Sequence, residues 1–339
     1  GVSTFSATSY FVPPVGNTHQ RPVNPQPGDL RFNTDFGALE YFRGNHAGWA
    51  QLEMTSLNID DGGVRGLWGG GNTPSVVDTI DYFNISNVSN ATDFGNLVAA
   101  TQGPTSCSSR TRGIWAGGYS PNDSTRSDKI DYITISSTGN AADFGNLSAG
   151  VNATTGCSTQ TRGLFSGGNF QSSGVLNTIQ YITIASTGNS VDFGDSTAVN
   201  YAGDALASST RGVHALGISP APSRVNILNY TTITSTGNAA DFGDLTTARM
   251  PSGAASNSTR GIFGHGEDAS SGTNVMDYIT IATLGNATDF GDSTFVCSNN
   301  QGSATSSPTR ALWGGGFTPS VVNTVEYVEI LTTGNAVNF

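Results

Sequence analysis

Six arginines recur along this chain at nearly equal steps: Arg65, Arg112, Arg162, Arg211, Arg260 and Arg310, at intervals of 47, 50, 49, 49 and 50 residues. Acidic residues keep the same beat. Asp93, Asp143, Asp192, Asp241 and Asp289 each sit in a DFG triplet, and the sixth place holds Asn338. A guanidinium and a carboxylate repeated in register can pair with each other. The guanidinium can also bond backbone carbonyls, or several can converge on a ligand. One Arg and one acid per repeat favours the first two, so these positions are read as structural. A calcium loop would need five or more oxygens close together, and DFGD offers two carboxylates. The histidines, His19, His46, His214 and His265, are scattered and no CxxC occurs, so no metal, no cofactor and no catalytic residue is expected.

The elements that carry these residues repeat with them. Each Arg opens a short phrase ending in glycine: VRGLWGGG at 64, TRGIWAGG at 111, TRGLFSGG at 161, TRGVHALG at 210, TRGIFGHG at 259 and TRALWGGG at 309. A second phrase follows, such as IDYITI at 130 and MDYITI at 276, and then the DFG phrase. Before most arginines lies a run of small residues, for example GPTSCSS and PSGAASNS. A period near 49 marks a repeat architecture. Alternating β-branched residues predict strands, and Gly-Asn predicts turns. Each repeat therefore supplies about four short strands. Apolar residues on both strand faces mean that neighbouring repeats bury each other. The expected fold is all-β: a six-bladed β-propeller over residues 53–339, preceded by a small β-meander in residues 1–52. Residues 53–61 (Glu53 to Asp61) are expected to form the inner strand of the first blade. Phe339 should complete the outer strand of the last, with Trp68 and Trp313 near the contact between blades six and one.

Composition narrows the function. The 339 residues hold 44 Gly, and only 12% are charged. Fourteen basic residues face 25 acidic ones, for a net charge of −11. With Lys129 as its one lysine, the chain is a poor nucleic-acid or anionic-membrane binder. No apolar run approaches 18 residues, so no membrane insertion is expected. The opening residues Gly1-Val2-Ser3-Thr4 do not resemble a signal peptide. Cys107 and Cys157 occupy equivalent places in successive repeats and, with Cys297, are read as small buried thiols. Nine N-x-S/T triplets, including Asn84, Asn146 and Asn286, follow from composition.

The order of small inner strand, Arg-apolar-apolar-Gly-Gly, variable loop, Tyr strand and closing aromatic strand resembles a kelch blade. The resemblance covers residues 65 to 339. It departs at the DFG Phe, where kelch repeats place Trp, and in the fourth repeat, where VHALG replaces the diglycine. DFG also marks the magnesium segment of protein kinases, but here it lies on strands with no glycine-rich loop, Lys or HRD partner. Residues 20 to 52 resemble a module of bacteriophage tail-fibre and virion structural proteins. Arg21, Pro22, Pro25, Gly28, Leu30, Arg31, Phe32, Asn33, Thr34, Leu39, Glu40, Tyr41, Gly44 and Trp49 carry that likeness. The repeats resemble structural proteins of phages infecting marine cyanobacteria.

These resemblances imply a virion structural protein, a tail fibre or other appendage and not an enzyme, located in the virion and forming a homo-oligomer there. Residues 1–52 would dock to other virion proteins. The repeats would present a surface for a host glycan or protein. A glycan-degrading depolymerase and a capsid decoration protein are the alternatives. A kelch-type copper oxidase would need Tyr and His ligands and a crosslinking Cys, and only two histidines lie in the repeats. The loops after Gly-Gly differ most between repeats, which makes them the candidate binding surface. Their candidate residues are Tyr119, Phe170, Glu267, Asp268 and Phe317.

Overall fold

In Lys129–Thr134 the residues Ile130, Asp131 and Ile133 are all buried, so both faces of the strand are covered. A computed structural model describes residues 13–35, 38–51, 65–72, 74–121, 125–170, 174–297, 303–317 and 320–339. It is all-β, with a single 3-10 turn, Thr18–Gln20, among the described residues. The chain divides into two compact units, residues 1–57 and 58–339.

In the larger unit each repeat folds into its own antiparallel sheet, with strands in chain order. The second repeat supplies Thr105–Ser108, Arg112–Ala116, Lys129–Thr134 and Ala142–Asn146. The third supplies Thr155–Ser158, Arg162–Ser166, Thr178–Thr183 and Val191–Asp195. The fourth and sixth follow suit, from Asp204–Ala207 to Ala240–Asp244 and from Ser303–Ser306 to Val337–Asn338. The fifth adds a short strand, Gly266–Glu267, to the same path. The first contributes Arg65–Gly69, Thr79–Asn84 and Thr92–Asn96. Its expected inner strand, 53–61, lies outside the described residues.

The recurring arginines bind backbone carbonyls of the next repeat. Nη1 of Arg65, Arg112, Arg162, Arg211 and Arg260 donates to the carbonyls of Ile135, Ile184, Ile233, Ile281 and Ile330, at 2.6 to 3.1 Å. Arg310 donates to Ile85 of the first repeat at 3.1 Å. Each guanidinium lies over the Tyr ring of its own repeat, 4.3 to 5.1 Å from the centroid. That ring meets the DFG Phe edge-on, as in Tyr132 and Phe144 at 5.8 Å. In the sixth repeat Phe339 takes this place and also touches Phe83 of the first.

The DFG glycine answers to a second contact. At Gly95, Gly145, Gly194, Gly243 and Gly291 φ lies between +142° and +148°, where side chains are strained. The turn of the following repeat folds over it, so a Cβ on Gly145 would collide with the carbonyl of Gly188. The turn Asn completes the seam: Asn189 Oδ1 accepts from the Asn146 N–H at 3.0 Å. The Phe occupies a bulge, because Ile130 faces Gly145 while Asp131 faces Asp143. The small-residue runs are explained by close approach of inner strands. The Ser158 hydroxyl reaches the Ser108 carbonyl at 2.6 Å, and a Cβ on Gly156 would lie 2.6 Å from the Ser106 carbonyl. Cys107, Cys157 and Cys297 are buried thiols, and burial pushes Cys157 up to about 12.

Each second-strand aromatic points back at the preceding repeat. Trp115 covers Gly69, and Trp68 covers Gly314 of the sixth repeat. Trp313 covers Gly253 and Gly264 and donates to the Gly253 carbonyl at 3.1 Å. Trp68 thus lies between repeats six and one, whereas Trp313 lies between five and six, contrary to the expectation that both would meet at one contact. The backward direction of the side chain is the reason.

The smaller unit is a sheet of Val15–Gly16, Leu30–Asn33, Ala38–Phe42 and Trp49–Gln51, the first pair parallel and the rest a meander. Glu40 is its buried centre. It accepts from Arg21 at 2.5 and 3.1 Å and from Asn33 at 3.1 Å, with Arg31 at 3.4 Å. Those hydrogen bonds hold its carboxyl below the usual range against the opposing effect of burial. Arg21 also lies over Trp49. Arg21, Arg31 and Asn33 of the RP…LRFN…LEY pattern are therefore the wiring of one buried acid, Glu40.

Candidate functional site

Residues of all six repeats line a cavity of about 840 Å³. Its walls come from the segments at and before the inner-strand starts, the Gly-Gly turns of repeats one and six, and loop residues of repeats one, two, three and six. Small residues there let the strands converge.

Of the loop candidates, Tyr119 lines the cavity and is 38% exposed. It sits in a hairpin, Tyr119–Ser120 with Thr125–Arg126. Its backbone exchanges two hydrogen bonds with Gln102, at 2.8 and 2.9 Å. Across the hairpin, Arg126 Nε donates to Asn152 Oδ1 at 2.8 Å. The ring is thereby carried on a tethered backbone. Phe170 is not with it: it pairs with Val151 and Gly174 and packs on the core of the second and third repeats. Glu267 forms an ion pair with Arg224. Asp268 caps its own turn, accepting from the Ser270 and Ser271 N–H groups, and those bonds hold its carboxyl below the usual range. Phe317 bridges to Val321, in the loop whose Gly316 and Val321 reach the cavity.

The six arginines lie away from this cavity, in the inter-repeat bonds described above. The five DFG aspartates are exposed, accept no side-chain hydrogen bond and form no ion pair among the described residues. Arg-to-carbonyl bonding is therefore the form the repeated Arg takes.

Other residues come to notice only in three dimensions. Asp204 lines the cavity at the place where the other repeats have Thr105, Thr155, Gly253 and Ser303. Burial raises its carboxyl to about 7, although the N–H groups of Ala205, Gly253 and Ala254 bond to it and pull the other way. Two further lining groups, the Trp68 indole N–H and the Thr154 hydroxyl, are buried at their polar atoms and have no hydrogen-bond partner among the described residues. His214, in the place of Trp115 and Phe165, is buried and bonds Thr155 at 3.2 Å; burial lowers it to about 4.

A separate buried network joins repeats five and six. Arg249 is fully buried and bonds Asp277 at 2.6 Å and the carbonyls of His265 and Phe263. His265 stands where the second repeat has Gly117, keeps a positive φ of 22°, and lies 3.7 Å from Glu326. Burial and the Arg249 charge lower His265 to about 3, and burial raises Glu326. Laying the repeats over one another in sequence marks Asp204, His214 and His265 as departures, which is the signal that finds them.

Neither the known protein-family models nor the curated proteins include a match to this chain.

Proposed function

We propose that the six repeats are the blades of a closed six-bladed β-propeller and that the chain is a phage virion structural protein, a surface appendage whose smaller unit docks to the particle while the propeller presents a binding face. Closure is supported by the Arg bonds, which run from each repeat to the next and from the sixth to the first. The observation that carries a binding role is the contrast between a framework that repeats and loops that do not, with the loops of repeats one, two, three and six reaching the cavity that all six repeats share. The virion assignment rests on the likeness of residues 20 to 52 to the tail-fibre module, now seen to be built around Glu40.

A depolymerase would need two carboxyl groups flanking a glycosidic bond. Asp204 is the one carboxyl among the described residues lining the cavity, which favours binding over cleavage. A tag on this chain, located by electron microscopy on intact particles, tests the virion role. Incubation of the purified chain with envelope polysaccharide, followed by assay for new reducing ends, tests the absence of cleavage. A chain missing from particles, or steady release of reducing ends, would overturn the assignment.

A further inference from the structure

We infer that the shared cavity is a binding site for an uncharged, hydroxyl-rich oligosaccharide, with Tyr119 as its stacking face and the side-chain amides of Asn72, Gln102 and Asn169 as its hydrogen-bonding groups. The inference rests on the propeller reading above and gives its binding face a ligand class.

Four observations support it. First, the cavity volume of about 840 Å³ falls within the range of small-ligand sites, roughly 300–1,000 Å³, and a concave site suits a short oligomer better than a flat protein surface. Second, Tyr119 offers an exposed ring on a tethered hairpin, and the negative face of an aromatic ring attracts the C–H face of a sugar. Third, the wall carries the amides of Asn72, Gln102 and Asn169, each able to give and accept hydrogen bonds, as sugar hydroxyls require. Fourth, no Lys or Arg is among the described lining residues, and the chain carries a net charge of −11. An acidic polysaccharide would meet no counter-charge there and would face Asp204.

The test applies the full chain to an array of neutral oligosaccharides of glucose, galactose and mannose beside uronate-bearing and sulfated ones. In parallel, the labelled chain is applied to cells that the particles infect, with and without protease treatment. Retention on neutral glycans is expected, weakened at least about tenfold in Tyr119→Ala and less in Gln102→Ala, with melting temperatures unchanged. Retention only on acidic glycans, or equal retention by Tyr119→Ala, would overturn the inference. Failure on every neutral glycan together with protease-sensitive cell binding would also overturn it, while leaving the attachment role standing. Failure on both glycans and cells would remove the two together.

Discussion

Replacing Arg162 with Ala isolates what one inter-repeat fastening contributes. The guanidinium makes two contacts that Ala loses. Its Nη1 lies 2.8 Å from the Ile233 carbonyl of the next repeat, and its plane lies 4.4 Å from the Tyr181 centroid. A charge-assisted hydrogen bond contributes about 1.5–3 kcal/mol net, and a partly exposed cation–π contact about 0.5–1 kcal/mol. Arg162 is half-buried, so water recovers part of both, and the expected loss is about 2 kcal/mol. The repeat unit spans residues 58–339, and at about 2.1 cal/mol/K per residue its unfolding entropy is near 0.6 kcal/mol/K. The melting temperature should then fall by roughly 3–4 °C. Scanning calorimetry on purified protein reads this directly. Arg162→Lys should fall between, because Lys keeps the charge and loses the planar fork. A melting temperature for Arg162→Ala within a degree of the parent would refute the fastening role. So would loss of ligand retention at unchanged stability, which would make the arginine a binding residue.

Three further outcomes follow from other contacts. Gly145→Ala should cost clearly more than Gly188→Ala in urea titrations, by about 2 kcal/mol, because both have positive φ but only the first would collide with backbone; equal costs would remove the seam as the reason for DFG. His214 is depressed to about 4 from an ordinary 6.5, so the stability it permits above pH 6.5 is lost as pH falls toward 4, by about 3 kcal/mol. His214→Phe should remove that share of the acid sensitivity, and a variant whose urea midpoint falls with acid as steeply as the parent's would contradict it. Asp204 shifts the opposite way: raised to about 7 from 3.8, it favours the fold below pH 4 and loses that advantage as pH rises through 7. Its shift corresponds to about 4 kcal/mol at most, and its partial exposure to the cavity brings this nearer 2 kcal/mol. Asp204→Asn should therefore gain stability relative to the parent between pH 4 and 8, and a constant difference across that range would place the carboxyl in water.

The repeat period, the strand order within each repeat and the structural use of the arginines were all legible in the sequence, because the same letters recur wherever the same contact recurs. Arg65 through Arg310 each lie over a Tyr ring and bond a carbonyl of another repeat, with Arg310 adding an ion pair to Glu329, so one residue type serves at all six places. The site before each Tyr was not legible for the converse reason. Asp131, Gln180, Asn229, Asp277 and Glu326 are all buried and all accept bonds from the loop after the preceding repeat's DFG phrase, but any short acceptor serves, so no letter repeats. The carboxylate in DFG misled in the other direction: it repeats without an ion pair, and the described structure holds no contact that accounts for it. The candidate site was only half legible. Loop divergence pointed to Tyr119, but which loop aromatics face the cavity depends on how each hairpin folds back, and Phe170 turned into a core. The partnerless Trp68 N–H could not be read at all, since Trp313, in the same phrase, does find a carbonyl.

The Arg-to-carbonyl seam has one donor side and one acceptor side, and every repeat carries both. Any stretch of consecutive repeats therefore ends in an unused donor at its C-terminal side and an unused acceptor at its N-terminal side. For repeats one to three those are Arg162 and the Ile85 carbonyl; for four to six they are Arg310 and the Ile233 carbonyl. The two halves present matching pairs of ends. Because every seam uses the same bond, pieces cut between the third and fourth repeats would each carry one unused donor and one unused acceptor, able to pair with each other or with a second copy of themselves.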